Sequence, residues 1–314
     1  MRTFWSLLSE AFNEWLEDKA QRLGAALAYY AAFSIAPLLI LVVAIVDFFY
    51  RGDTLPQIQR QIAAIAGGNA AEAIAASIRG VKSSPGGGAA TILSIITLIL
   101  GATGVFGQLQ DAMNTIWEVT PKPRRFWVDI LRTRVLSFAL VLAICFLLLV
   151  SLLLSAFLAA ASQYFQDLVP MTGPVWPLVD FGVSFGTTTL LFAMIYKILP
   201  DVNIGWRDVW LGAAVTAALF AHGKIGIGFY IGRSSFTSAY GAAGSLLVLL
   251  AWVYYSSQIL FFGAEFTWVY TNRYGRRFQP SRGARFLSDE MRIHQGIPRN
   301  KLVQEAFKDH HTAA

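Results

Sequence analysis

The stretch LLVLLAWVYYSSQILFFGAEFTWV, residues 246–269, decides how the rest of the chain is read. It exceeds the roughly 20 residues a helix needs to cross ~30 Å of hydrocarbon, and Glu265 is its only charged side chain. Five further stretches of this kind lie at 24–49, 89–110, 135–161, 177–199 and 209–231. A backbone that faces lipid has to satisfy its own hydrogen bonds, and a helix does so within one segment. The sequence therefore predicts an all-α, polytopic membrane protein with six transmembrane helices. The membrane domain would occupy 1–272, and a polar, partly disordered tail 273–314.

Composition fits that frame. Hydrophobic residues make up 55% of the 314, charged residues only 14%, and mean hydropathy is +0.52. Soluble domains carry about 25% charged residues. Little chain is left for a separate soluble domain. The start mixes Arg2 with Glu10, Glu14, Glu17 and Asp18 and lacks the basic region of a secretory leader, so the first span is expected to be retained. The single cysteine, Cys145, lies inside a span and serves packing. The net charge of +6 collects near span ends, where anionic lipid accounts for it without any nucleic acid.

Loop charges give the orientation. Lys122, Arg124, Arg125, Arg132 and Arg134 follow span two, Lys197 and Arg207 flank the connection after span four, and Arg273, Arg276, Arg277, Arg282 and Arg285 open the tail. The loop at 162–176 has no Lys or Arg, and the fifth-to-sixth loop has only Arg233. The positive-inside rule then puts both termini in the cytoplasm. Arg51, Arg60, Arg79 and Lys82 in the first loop argue the other way but are outvoted.

Two segments read as helical without spanning. Trp5, Leu8, Phe12 and Trp15 recur at spacings of three and four, with Glu10, Glu14 and Glu17 on the other face. That pattern predicts an N-terminal amphipathic helix lying in the interface. The second segment, 54–82, carries Ile58, Ile62 and Ile65, a break at Gly67-Gly68-Asn69, then Ile74 and Ile78. It reads as a helical hairpin on the outer face, a cap or a gate.

Polar groups inside spans are costly and therefore functional candidates. Gln108, Asp111 and Asn114 recur every three residues at the end of span two and would share one helix face. They would either bond neighbouring helices or line a polar cavity. Glu265 would pair with Lys197 or a loop-two arginine, or couple protons or ions. His222 and Lys224 in span five, with Arg233 just after it, form a cationic set that would bind an anionic substrate on the outer side. The bland alternative is a snorkelling Lys224 and a packed, neutral His222. Pro200 stops span four, Asp201 and Asn203 suit a turn, and Asp208 suits the first turn of the next helix between interfacial Trp206 and Trp210. The spacings Gly182–Gly186 and Gly228–Gly232 would serve internal packing or a homo-oligomer. The four histidines, His222, His294, His310 and His311, have no metal-ligand spacing. There is no P-loop, nucleophile elbow or dinucleotide fingerprint. Neither an enzyme nor a cofactor is expected.

Several segments together resemble the YihY/BrkB family of bacterial inner-membrane proteins. They are GAALAYYAAFSIAP at 24–37, 107–118 with its Asn114-Thr115-Ile116-Trp117, LPDVNIGWRDVWLGA at 199–213, YGAAGSL at 240–246, and Gly263-Ala264-Glu265. The resemblance covers about residues 5–275. It implies a six-helix membrane protein and a family once labelled ribonuclease BN, although no clustered carboxylates or histidines stand here for nuclease chemistry. It also hints at envelope or lipid export. The function expected from residues and resemblance together is a transporter or flippase for an anionic lipid or envelope precursor, with membrane lipids as partners. The alternatives are a secondary transporter of a small ion or solute, and a non-transporting scaffold in envelope assembly.

Overall fold

A computed structural model describes residues 2–49, 104–122, 175–233, 242–275 and 278–299. The 54–82 hairpin, the third span and Cys145 lie outside the described residues. The chain divides into two compact units. One comprises Met1–Gln21, Gln110–Gly223 and Gln258–Ala314, the other Arg22–Leu109 and Lys224–Ser257.

The architecture is mostly helical. Helix α1 runs Arg2–Glu17 and α2 Ala20–Phe49. Helix α3 covers 104–116. After it come α4, Val175–Ile198, α5, Trp206–Arg233, and α6, Ala242–Tyr274. These match the ends of the apolar stretches to within a few residues, and α6 extends beyond its stretch at both ends. Among the described residues, Phe181–Ile198 and Leu247–Tyr274 are long and apolar enough to cross a membrane. Helix α2 runs without interruption through Pro37.

In the first unit, α5 and α6 approach closely because each offers a glycine to the other's threonine. A Cβ on Gly212 would overlap Thr267 Oγ1, and a Cβ on Gly263 would overlap Thr216 Oγ1. Each threonine donates back to the carbonyl four residues earlier on its own helix, Thr216 to Gly212 at 2.7 Å and Thr267 to Gly263 at 2.6 Å. The two hydroxyls are thus satisfied without water while they occupy the glycine gaps. Tyr196 of α4 ties in a third helix. Its hydroxyl lies 2.9 Å from Thr216 Oγ1 and donates to the Leu260 carbonyl at 2.8 Å. In lipid, where apolar burial gives helices little reason to associate, small residues and interhelical hydrogen bonds supply the attraction.

In the second unit, the Tyr30 ring lies against Gly104, whose added Cβ would stand 2.7 Å from Tyr30 Cδ1. Gly107, Gly182 and Gly186 have open space where a Cβ would go. The Gly182–Gly186 spacing is therefore not used for packing among the described residues.

The segments beyond the helix ends fold together. Strand β1, Val119–Pro121, follows α3, and β2, Val202–Asn203, lies between α4 and α5. The tail supplies β3, Gln279–Pro280, β4, Ala284–Phe286, and a short helix α7, Asp289–His294. β1 pairs antiparallel with β4, Val119 opposite Phe286, and β2 pairs antiparallel with β3, Val202 opposite Pro280. The tail was expected to be partly disordered. Over 278–299 it is folded, and the cause is a set of partners far away in sequence. Trp117, fully buried, meets the edge of Phe278 at 5.2 Å, and Phe278 packs on Phe286 at 6.1 Å. Ser288 caps α7 by accepting from the Met291 amide.

The turn at 199–205 is clasped from α3. Asn114 accepts from the Asp201 amide at 2.8 Å and donates to Asp201 Oδ2 at 3.1 Å, and Gln110 donates to the same oxygen at 3.3 Å. As the sequence suggested, Asp208 stands in the first turn of α5, flanked by half-exposed Trp206 and Trp210.

The α5–α6 contact generates a prediction. Gly212→Ala should destabilise the protein by about 1–3 kcal/mol, the usual cost of overpacking a filled site. Adding Thr267→Ala should recover part of that loss, because the colliding hydroxyl is gone. Thermal unfolding of the single and double variants in detergent checks it. A harmless Gly212→Ala would contradict the close approach.

Candidate functional site

Helix α1 has three faces rather than two. Leu7 and Ala11 are buried against Phe266 and Val269 of α6. Trp5, Phe12 and Leu16 point outward, with Trp5 74% exposed. The amphipathic helix expected from the pattern is present, but the Trp5–Phe12 stripe is not the face it buries in the protein. Nor is the acidic face a simple solvated one. Glu10 pairs with Arg273 at 2.9 Å, and beyond the helix end Asp18 is buried at 3% exposure.

Asp18 is held by a residue from the far end of the chain. Arg292 of α7 is 1% exposed and donates to Asp18 Oδ1 at 2.6 Å and to Glu118 Oε1 at 3.3 Å. Arg299 reaches the same Glu118 oxygen at 2.5 Å. Lys19 adds a hydrogen bond to the Gly296 carbonyl at 2.6 Å. The backbone bends to allow this. Lys19 and Glu118 are the non-glycine residues with positive φ among the described ones, at 52° and 51°. The left-handed conformation costs an ordinary residue roughly 1–2 kcal/mol. Here it turns the chain at the end of α1 and at the end of α3, so that both carboxylates converge on one guanidinium.

Glu265 lies at the lower end of α6, 1% exposed, in the field of Asp18, Glu14, Arg292 and Glu118. Its Oε1 has no hydrogen-bond partner among the described residues, and neither has Arg292 Nε. The partner expected for Glu265 was Lys197 or an arginine of the loop after span two. Lys197 donates to the Ile204 carbonyl, the arginines of that loop lie outside the described residues, and a nearby guanidinium, Arg292, comes from the tail.

Of the other candidates, Asn114 is buried in the clasp on Asp201, Asp111 is exposed on the same helix, and Gln108 is partly buried. The structure does not bring these three into one polar cavity. His222 is exposed, and its Nδ1 lies 2.8 Å from the Ala218 carbonyl one turn earlier. Lys224 and Arg233 lie on α5, but their side chains lie outside the described ones. Sequence reasoning missed Asp18, Glu118 and Arg292. A charged residue one or two positions after each helix end, at Asp18 and Glu118, was the available signal. Nothing in the order of residues pointed to Arg292.

Two cavities border this region. A cleft of about 250 Å³ between α1, α5 and α6 is lined by Phe12, Trp15, Leu219, Gln258, Ile259 and Phe262. An open groove of about 670 Å³ lies over the two small sheets, with Lys122, Arg282 and Arg285 on its walls. Among the described residues no group of three or more His, Cys, Asp or Glu side chains is arranged to hold a metal ion.

The charge cluster generates two predictions. Arg292→Leu leaves Asp18 buried and unpaired, and breaking a buried pair in this way costs about 3–5 kcal/mol. The variant should unfold at lower temperature, and limited proteolysis should cut the 278–299 segment that resists in the wild type. The second concerns pH. Burial lifts the Asp18 carboxyl to about 6, outweighing the Arg292 pair that pulls it down. Burial, with Glu17 and Asp18 beside it, lifts Glu14 to about 7. A raised carboxyl pKa favours the folded state fully below the unfolded value near 4, and that contribution is lost as pH rises through 6 to 7. Melting temperature should therefore fall between pH 5 and pH 8. Glu14→Gln should flatten the slope and stabilise the protein at pH 8 by on the order of 1 kcal/mol after allowance for screening. A melting temperature that rises across this window would contradict the burial of these groups.

Comparison with known proteins gives a consistent picture. The chain is 29% identical over 258 residues to a "UPF0761 membrane protein" of Tolumonas auensis, covering 80% of each chain. It is 29% identical over 259 residues to a protein of the same description from Ralstonia nicotianae, covering 79% of this chain but only 55% of that one. It is 25% identical over 266 residues to the "putative ribonuclease-like protein YfkH" of Bacillus subtilis, covering 83% of this chain and 93% of that one. No solved structure matches. The model of the family described as "Virulence factor BrkB" matches residues 11–286, which include both small sheets, Asp18, Glu118 and Glu265 but stop short of Arg292 and Arg299. This membrane protein belongs to the BrkB family.

Proposed function

We propose that the chain crosses the bacterial inner membrane six times, keeps both termini in the cytoplasm, and moves an anionic amphiphile, a lipid or envelope precursor, across the bilayer. Glu265 carries this reading. It is a carboxylate on a helix apolar and long enough to span, almost fully buried, with one oxygen unpartnered. Four carboxylates, Glu14, Asp18, Glu118 and Glu265, share one field with two guanidiniums, Arg292 and Arg299. Carboxylates outnumber guanidiniums there, so proton binding at Glu265 relieves repulsion. Ionisable groups inside spans commonly serve such proton relays. The gathering of α1, the turn at 199–205 and the tail at the ends of α3, α4 and α6 supports an even number of crossings between them.

The apolar cleft between α1, α5 and α6 favours an amphiphile over a small solute. Its lining suits part of an acyl chain, and the exposed Phe12 and Leu219 leave it open to the side. His222, Lys224 and Arg233 on α5 would attract the headgroup at the outer side. Asp111, Gln108 and Asn114 would act at the inner end, Asn114 by holding the turn at 199–205.

Lipid translocation in proteoliposomes tests the proposal, with a headgroup-labelled anionic lipid quenched from outside. The wild type should speed flipping well above empty liposomes. Glu265→Gln should slow it about tenfold or more, the loss of one relay group. Leu219→Trp, which fills the cleft, should slow lipid flipping several-fold but leave any proton flux intact. Flipping no faster than in empty liposomes, with folded protein, rejects the lipid reading. Proton flux alone then points to a small solute, and neither activity to a scaffold.

A further inference from the structure

We infer that the groove over the two small sheets is a binding site for a phosphate-bearing ligand. Three separate parts of the chain build it. Lys122 follows α3 by six residues, Asn203 follows α4 by five, and Gln279, Ser281, Arg282 and Arg285 come from the tail just beyond α6. The β1–β4 and β2–β3 pairings hold these pieces in register, as do main-chain bonds from Lys122 N to the Gly283 carbonyl and from Ser281 N to the Asp201 carbonyl, both 2.8 Å. The groove is therefore a built surface rather than a set of loose side chains.

Its chemistry is that of an anion site. Lys122, Arg282 and Arg285 bring three cations, and no acidic residue lines the groove among the described residues. Ser281 Oγ is buried in its wall without a hydrogen-bond partner. A buried hydroxyl left unpaired is costly, and a phosphate oxygen would satisfy it. Asn203 and Gln279 offer amide donors beside it. Guanidinium forks and an ammonium match the geometry of a phosphate group. In the neighbouring charge cluster, Asp18 and Glu118 are paired with Arg292 and Arg299. The groove stands within about six residues of three helix ends, at most ~20 Å of extended chain, so it is within reach of a lipid headgroup as well as of a free phosphate compound. The site does not depend on translocation and stands whether or not the chain moves lipid.

The test uses the full chain, delipidated in detergent, and native mass spectrometry. Probes are phosphatidylglycerol, phosphatidylcholine and inorganic phosphate. Lys122→Gln and Arg285→Gln, single and combined, are compared after thermal unfolding has shown each to be folded. Each lost charge-assisted contact should weaken binding about tenfold, the equivalent of ~1.4 kcal/mol. Retention of phosphatidylglycerol over phosphatidylcholine, lost in the double variant, supports the site with a headgroup as source. Binding of inorganic phosphate that the double variant loses, with no preference between the lipids, supports it with a free phosphate compound as source. A wild type that binds neither anionic probe, or a double variant that binds both as well as wild type, overturns it. Because the readout is binding, a failed flipping assay leaves this result intact.

Discussion

A guanidinium cannot be taken out of water alone, and Arg292 is almost wholly out of water. The free energy needed to strip its hydration runs to several kcal/mol, and only well-placed carboxylates return it. Asp18 and Glu118 therefore have to be where they are, one and two residues after a helix end. This one requirement fixes how α1 turns into α2, where α3 stops, and why the tail folds back. The pair contributes little net stability over a hydrophobic alternative of the same shape. Its effect is to select one arrangement, since any other placement of the tail would leave a buried charge unmatched. The left-handed backbone at Lys19 and Glu118 belongs to the same constraint. Strain of this kind persists only when the surroundings over-determine it. Here the surroundings are the guanidinium, the Lys19 bond to Gly296 and the strand that begins at Val119.

Within the helical body a different force does the holding. The Gly212–Thr267 and Gly263–Thr216 contacts bring two long helices together by shape and by hydrogen bonds kept inside each helix. That is a solution suited to lipid, where there is no water to expel between apolar faces. The two devices divide the labour by place in the chain. Close packing holds the long helices together. Ion pairs and short strands hold the segments beyond their ends.

How much of this was legible in the sequence follows from the range of the interactions. The helices α2, α4, α5 and α6 could be read because hydropathy over 20 residues is a local property. The turn at 199–205 could be read for the same reason: Pro200 and Asp208 act on their own neighbours. The Asn114 clasp on Asp201 was half legible, since the polar face of α3 was visible but its partner was not. The charge cluster was not legible. Asp18 and Arg292 are 274 positions apart, and no periodicity links them. The order of 278–299 was not legible for a related reason. Its polar composition suggests disorder, yet its order comes from Trp117, Glu118 and Asp18, which lie elsewhere in the chain. Which face of α1 turns to protein was not legible, because the pattern counts apolar residues without saying which apolar surface they meet. Leu7 and Ala11 meet protein, while Trp5, Phe12 and Leu16 do not.

The tail thus carries opposite electrostatic tasks within twenty residues. Residues 279–286 present cations to an open groove, while Arg292 and Arg299 neutralise carboxylates next door. The two regions share a wall: Leu287 bonds the Glu118 carbonyl, and Phe286 pairs with Val119, the residue that follows Glu118. A displacement of β4 would move both at once. The wall is a hydrogen-bonded path from the groove to Glu118, whose charge in turn acts on Glu265. The same argument sets its limit. β1 and β4 are three residues each and anchored by the Trp117–Phe278–Phe286 stack, so they can pass on a shift of the tail but cannot absorb one. Coupling between the groove and the buried carboxylates would then depend on the stiffness of this small sheet rather than on any mobile loop.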